Sequence, residues 1–389
     1  MRILHESTCL GDLGSRLRFL TARQIEMALS GMFPYVRALP FGSSVNGFGR
    51  AGCDLDLVLQ LGGQEEGLVD EQKSRSRLMF HSKGSAACNG RVQLQRHMET
   101  IADMLHLFLP GCSRVVRILQ ARVPIIKFRH DLAMLECDLS MTNMTAVHMS
   151  ELLYILGETD QRVRPLVFCV RRWAQAVGLT NPTPGRWVTN FSLSLLTLFY
   201  LQTCSKPVIP SLGTLIQLAG EKDRRITAEG VNCTFLRELS NLALSGNQES
   251  LEELFRGFFE FYSQFDFASR GISLVTGKNL LKPDHSPLFI ENPLERSLNV
   301  SKNVSAEETL RLQIELRNAA WFLEQQEEEE PHKGPNWGLL ALFSNSKAHG
   351  LESPKAKAYR LVHVKDLFND DKNSIQHYRN QKSLRHKRR

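Results

Sequence analysis

Residues 53–61, "CDLDLVLQL", constrain this chain more than any other stretch. In a β-strand, residues two apart share a face. Cys53, Leu55, Leu57, Leu59 and Leu61 therefore point together into a core, and Asp54 and Asp56 point together to the other side. Two carboxylates so close repel each other, and loss of hydration worsens the repulsion. A divalent cation relieves it. Mg²⁺ in particular takes a few hard oxygen ligands and keeps its other positions for water and substrate phosphates.

A third carboxylate fits the same face. In "AMLECDLSM" the apolar residues Leu135, Cys137, Leu139 and Met141 alternate with Glu136, Asp138 and Ser140. If that strand lies beside the first, Asp138 joins Asp54 and Asp56. Three convergent carboxylates can hold two metals for in-line phosphoryl chemistry. The turn before the first strand, "FGSS", brings small residues whose backbone N–H groups and hydroxyls suit a phosphate. A D-x-D pair alone is more often a solvated strand face; the Gly-Ser turn and Asp138 together tip the balance.

The chain has 389 residues, enough for two or three domains. No apolar run reaches membrane-spanning length, so no membrane insertion is expected. The start of the chain has no continuous apolar run after its arginine, and no convincing transit peptide is expected there. Eight cysteines show no C-x-x-C and no zinc spacing, and read as reduced thiols. The net charge of +7 is uneven. Residues 344–389 hold 12 Lys and Arg against 4 Asp and Glu, leaving 36 against 37 elsewhere. The basic character is therefore a property of the tail, which either meets RNA phosphates or is a disordered end.

The texture changes along the chain. Residues 15–33 and 93–109 have helical periodicity, and three short β-rich runs, "SRVVRILQA", "VPIIKFRH" and "AMLECDLSM", read as antiparallel neighbours. Residues 62–91 read as a long polar surface loop. From about Thr145 long helical runs take over. The expected class is α+β: a small mixed sheet with flanking helices, then a mostly helical domain. The expected parts are an N-terminal segment at 1–16, the sheet domain at 17–143, the helical domain at 144–343 and a basic tail at 344–389.

The Gly42-Ser43 turn, the Asp54-Leu55-Asp56 strand and the later Asp138 resemble the signature of the DNA polymerase β-like nucleotidyltransferase superfamily. "RVRPLVFCVRRWA", "GRWVTNFSLSLLTLFYLQ" and "PLFIENPLERSLNVSKNV" follow in the order seen in the non-canonical poly(A) and poly(U) polymerases. The likeness runs from about Arg16 to Phe343, and the mitochondrial poly(A) members are the most similar. The N-terminal RNA-binding-like domain of that family is not recognised in this chain.

This resemblance implies a nucleotidyltransferase palm joined to a helical PAP-associated domain. It implies template-independent addition of AMP from ATP to an RNA 3′ end, with Mg²⁺ or Mn²⁺, by a homodimer in the mitochondrial matrix. Asp54 and Asp56 would bind both metals, and Asp138 would bind one and help deprotonate the 3′-OH. Gly42 and Ser43 would hold the triphosphate. Arg171 falls where relatives carry a phosphate-binding Lys. Gln175 replaces a second Lys, which shifts weight to Arg171, Arg172 and the metals. Asn190 would meet the sugar and phosphate, Phe191 the base face, and Asn292 and Glu295 the base edge. Leu298 stands where uridylyl-adding relatives have His, and fits ATP better.

Each of these residues has a plainer alternative. Asn190 could be a helix N-cap, Phe191 could be core, and Arg162, Arg164, Arg171 and Arg172 could form a solvated face. Trp173 and Trp187 read as core. The rival functions are a terminal uridylyltransferase and an inactive RNA-binding scaffold.

Overall fold

The computed structural model describes residues 1–33, 35–61, 90–121, 123–181, 183, 185–242, 245–328 and 342–343. The loop expected at 62–91 falls almost wholly outside these residues, as does the basic tail. The described chain divides into two compact units. One comprises Met1–Phe168, Lys206–Asn247 and Pro293–Glu295, and the other takes the remainder.

The first unit is built on a five-stranded mixed sheet. Its strands are β1 (Arg37–Phe41), β2 (Leu55–Gln60), β3 (Cys112–Ile118), β4 (Ile125–His130) and β5 (Leu135–Ser140), in the order β1-β2-β5-β4-β3. Only β2 and β5 pair in parallel; every other pairing is antiparallel. The three β-rich runs are antiparallel neighbours, as the sequence indicates. β1 was not legible, because Pro40 reads as punctuation. It is tolerated because β1 is an edge strand, where a missing N–H is not needed by a second neighbour.

A short helix α1 (Arg2–Thr8) precedes α2 (Asp12–Ser30), and α3 (Gly90–Leu107) precedes β3. Ala22, Ile25 and Leu29 of α2 and Met98, Ile101, Ala102 and Leu105 of α3 pack on Leu55, Leu57, Leu59, Phe128, Cys137 and Leu139. These residues form one continuous core, and they fix which face of β2 and β5 is turned outward. α4 (Met144–Glu158) and the short α7 (Leu212–Gln217) complete this unit, and α5 (Val163–Ala176) begins in it.

The second unit is mostly helical. It holds the end of α5, α6 (Asn190–Thr203), α8 (Leu251–Ser263) and α9 (Ala306–Glu328). It also holds a hairpin the sequence reading missed, β6 (Arg270–Ser273) with β7 (Lys278–Leu281). Residues 192–202 of α6 are buried on every side, which explains its lack of amphipathic pattern. Trp173, Phe255, Phe258, Phe259 and Tyr262 form an aromatic core beside it, with Trp173 and Phe259 edge to face at 4.8 Å. The buried Tyr262 hydroxyl donates to the Leu196 carbonyl at 2.7 Å, so its burial leaves no unmet polar group. Trp187 is also core.

Among the described residues no helix is long and apolar enough to cross a membrane. Every described cysteine is a free thiol.

Candidate active site

The sheet register places the carboxylates. Asp56 of β2 stands beside Asp138 of β5, and Asp138 stands beside Lys127 of β4. Directly paired residues share a face, so the three lie in one line across three strands. Asp54 sits two residues before Asp56, just ahead of β2, and is exposed.

The turn after β1 closes onto this line. Phe41 pairs with Asp56, so the chain enters the 3₁₀ turn Gly42–Ser44 directly over that carboxylate. Gly42 has φ +67, and a Cβ there would lie 2.6 Å from Asp56 Oδ2. Only glycine leaves that space. Its amide donates to Ser150 Oγ at 2.7 Å, and the same hydroxyl donates to the Ala146 carbonyl at 2.7 Å within α4. Ser44 Oγ donates to the Asp54 carbonyl at 3.1 Å. From the other side, the buried Arg18 guanidinium donates to the Gly14 carbonyl at 3.0 Å and to the Cys53 carbonyl. The turn and the strand entry are thus held by α2 and α4. Among the described residues neither the amide nor the hydroxyl of Ser43 has a protein acceptor. These are the donors the turn leaves over for a ligand.

The electrostatics follow from crowding. Loss of hydration, then the charges of Asp138 and Asp54, push the Asp56 pKa up from 3.8 to about 7, while Lys127 pulls the other way. Asp54 is raised as well, first by loss of hydration and then by Asp138. Lys127 Nζ donates to both oxygens of Asp138, at 2.7 and 2.5 Å. No three His, Cys, Asp or Glu side chains among the described residues are grouped to hold a metal ion. The donor set nonetheless suits a hard divalent cation. It offers oxygens alone, and the half-buried Asp56 carboxylate accepts no hydrogen bond from the described residues.

The remaining candidates lie in or near the helical unit. Thr189, not Asn190, caps α6: its side chain accepts the Ser192 amide at 3.1 Å. Asn190 is the first helical residue and is exposed, which leaves its side chain out of the cap. Phe191 is half-buried while the residues after it are core. The Asn292 amide donates to the Leu298 carbonyl at 2.9 Å, so the two stand across one turn, both half-buried. Glu295 is half-buried in the same turn, within the short piece assigned to the first unit.

The arginines separate. Arg162 pairs with Asp160 at 2.7 Å and donates to Asn247, and Arg164 pairs with Glu158 at 2.5 Å over the Tyr154 ring. Both therefore brace the first unit instead of forming a solvated face. Arg172 is exposed and donates to Gln175. Arg171 is half-buried on α5.

Lys127, Ser150 and Arg18 escaped the sequence reading. Lys127 was in principle visible, because alternation in "IIKFRH" puts it opposite Ile126 and Phe128, on the face left for charge. Nothing local marks Ser150, which acts over 108 positions of chain.

Residues 1–158 match the model of the mitochondrial-like poly(A) RNA polymerase central palm domain, and residues 250–301 match that of the Cid1 family poly A polymerase. The chain is 39% identical to mtPAP crystallised with UTP, at a TM-score of 0.78, over 88% of this chain and 72% of that one. This chain belongs to the non-canonical poly(A) polymerases. Two curated members are both named mitochondrial poly(A) RNA polymerase. The one from Drosophila melanogaster is 54% identical over 94% of this chain and 61% of its own length. The one from Homo sapiens is 40% identical over 92% and 62%. The chain thus spans about three fifths of the length of these curated poly(A) polymerases.

Proposed function

We propose that this chain adds AMP from ATP to the 3′-OH of RNA without a template, releasing pyrophosphate. The observation that carries the reading is the in-register line of Asp56 and Asp138 beneath the Gly42–Ser44 turn, with Asp54 next to it. An inactive scaffold has no need to keep three repelling carboxylates together; family members named as poly(A) polymerases support the enzymatic reading.

Asp54, Asp56 and Asp138 would hold two Mg²⁺ or Mn²⁺ ions, and these would supply Lewis-acid activation of the 3′-OH and neutralise charge on the phosphates. Asp138 also receives the proton of the attacking hydroxyl as the new P–O bond forms and the α–β bridge breaks. Ser43 supplies its amide and hydroxyl to the triphosphate. Gly42 contributes space, because its own amide is already committed to Ser150. Arg171 holds phosphate, Asn190 meets the sugar, and Phe191 offers an aromatic face to the base. Asn292, Glu295 and Leu298 read the base edge, and Leu298 favours adenine.

The same proposal assigns the carboxylates and the Gly42-Ser43 turn to a palm at residues 17–143 and the remaining nucleotide contacts to residues 144–343. A mitochondrial location is supported by the names of the relatives; the matrix and a homodimer are further parts of the proposal, open to import assays and light scattering. The direct test extends one oligo(A) primer with each nucleoside triphosphate in turn, with Mg²⁺ or Mn²⁺. ATP should be used best. A preference for UTP would make the protein a terminal uridylyltransferase, and no extension with any of the four would leave only the scaffold.

A further inference from the structure

Lys127 is aimed at the carboxylate site by the fold itself. It stands opposite Asp138 on the neighbouring strand, on the same face as Asp56. Its ammonium spans both Asp138 oxygens, at 2.7 and 2.5 Å. The lysine side chain is 47% exposed and the aspartate 25%, so the ammonium approaches from the solvent side. The next cation along β4, Arg129, is tied to Asp131 and Glu136 instead. A lysine is a compact charge on a flexible stem, and it can leave a carboxylate without moving the backbone.

We propose that Lys127 is the resident counter-ion of this site: it neutralises Asp138 until a divalent cation displaces it, and it thereby sets how tightly the site binds metal. The inference rests on the reading of Asp54, Asp56 and Asp138 as metal ligands. An ammonium and a divalent cation compete for the same carboxylate oxygens and repel each other. Removing the ammonium should therefore tighten metal binding. The same change leaves three carboxylates without a cation in the metal-free protein, which should lose stability and recover it when metal is added. A lysine that merely supports the fold would cost stability with or without metal, and its loss would not raise affinity. Lys127 is thus a positioning residue that acts through Asp138.

The test is Mn²⁺ titration calorimetry on the full chain, with melting temperatures measured with and without Mn²⁺. The variants are Lys127→Met, Lys127→Gln, Lys127→Arg and Asp54→Ala. Both neutral variants should bind Mn²⁺ about tenfold more tightly than wild type. They should also melt lower without metal and show the largest rise on its addition, while Lys127→Arg stays near wild type. Unchanged or weaker binding by the neutral variants overturns the inference. If Asp54→Ala alone loses Mn²⁺, the metal reading stands and the role of Lys127 falls. If wild type binds no Mn²⁺, both fall. Failure of both neutral variants to fold even in Mn²⁺ also overturns it, since metal is meant to take the place of the ammonium.

Discussion

Asp56, Asp138 and Lys127 are spaced by strand register, so backbone hydrogen bonds set the distances between them. Asn190 and Phe191 stand on the first turn of a helix, and Asn292 and Leu298 face each other across a turn. The sheet residues are crowded enough to raise the pKa of Asp56 to about 7. Asn190 is exposed, and Phe191, Asn292 and Leu298 are half-buried. The carboxylates proposed to share a reaction thus sit on or beside paired strands. Of the residues proposed for recognition, Asn190 and Phe191 sit at a helix start and Asn292 and Leu298 in a turn. The two sets should fail in different ways when altered.

The largest effect outside the carboxylates themselves should come from Gly42→Ala. The new methyl meets Asp56 Oδ2, and φ is in the left-handed region. Strain of this kind costs about 1–3 kcal/mol, and misplacing Asp56 should slow primer extension about a hundredfold. Gly230 has φ +82 with open space around it, so Gly230→Ala controls for the conformational part alone. Equal losses of activity in the two variants would show that the approach to Asp56 is not what matters.

The strain on the sheet side should also show in a pH profile. Asp56 binds its proton more tightly in the folded state than in the unfolded chain, where its pKa is near 3.8. Stability of the metal-free protein from this group is therefore present below about pH 4 and is lost as pH rises toward about 7. His5 and His130, whose pKa values are lowered by burial, act oppositely, since protonating them costs stability as pH falls. Melting curves of wild type and Asp56→Asn between pH 5 and 8 separate the two. The variant should gain on wild type as pH rises, and saturating Mn²⁺ should close the gap at pH 8.

Much of the carboxylate-bearing face was legible because its signals are periodic. The alternation around Asp54, Asp56 and Asp138 assigns all three to one face before any register is known. The register itself was not legible: nothing local states that Asp56 lies beside Asp138 and not one pair further along. Lys127 depended on that register, and Ser150 on the path of α4. β1 was hidden by Pro40, and the β6–β7 hairpin by its surroundings of helical sequence. On the recognition side the cap of α6 was misplaced by one residue as a possibility, because Thr189 and Asn190 are both good caps and only the helix start decides between them.

Recognition residues should change selectivity with little loss of stability. Phe191→Ala should raise the KM for ATP about tenfold, the worth of one stacked base, and leave the melting temperature nearly unchanged. A fall in melting temperature like that of a core deletion would make Phe191 a packing residue. The smallest effect should be that of Thr189→Ala, which removes the α6 cap and should cost about 1 kcal/mol of stability. Its KM for ATP should stay near wild type. A large rise would mean that the cap itself positions Asn190.

The most direct test of the account is extension of an oligo(A) primer with ATP and Mg²⁺ by wild type, Asp54→Ala and Asp138→Ala, each shown to be folded. The account predicts extension by wild type and none by either variant. Normal extension by Asp54→Ala would contradict it.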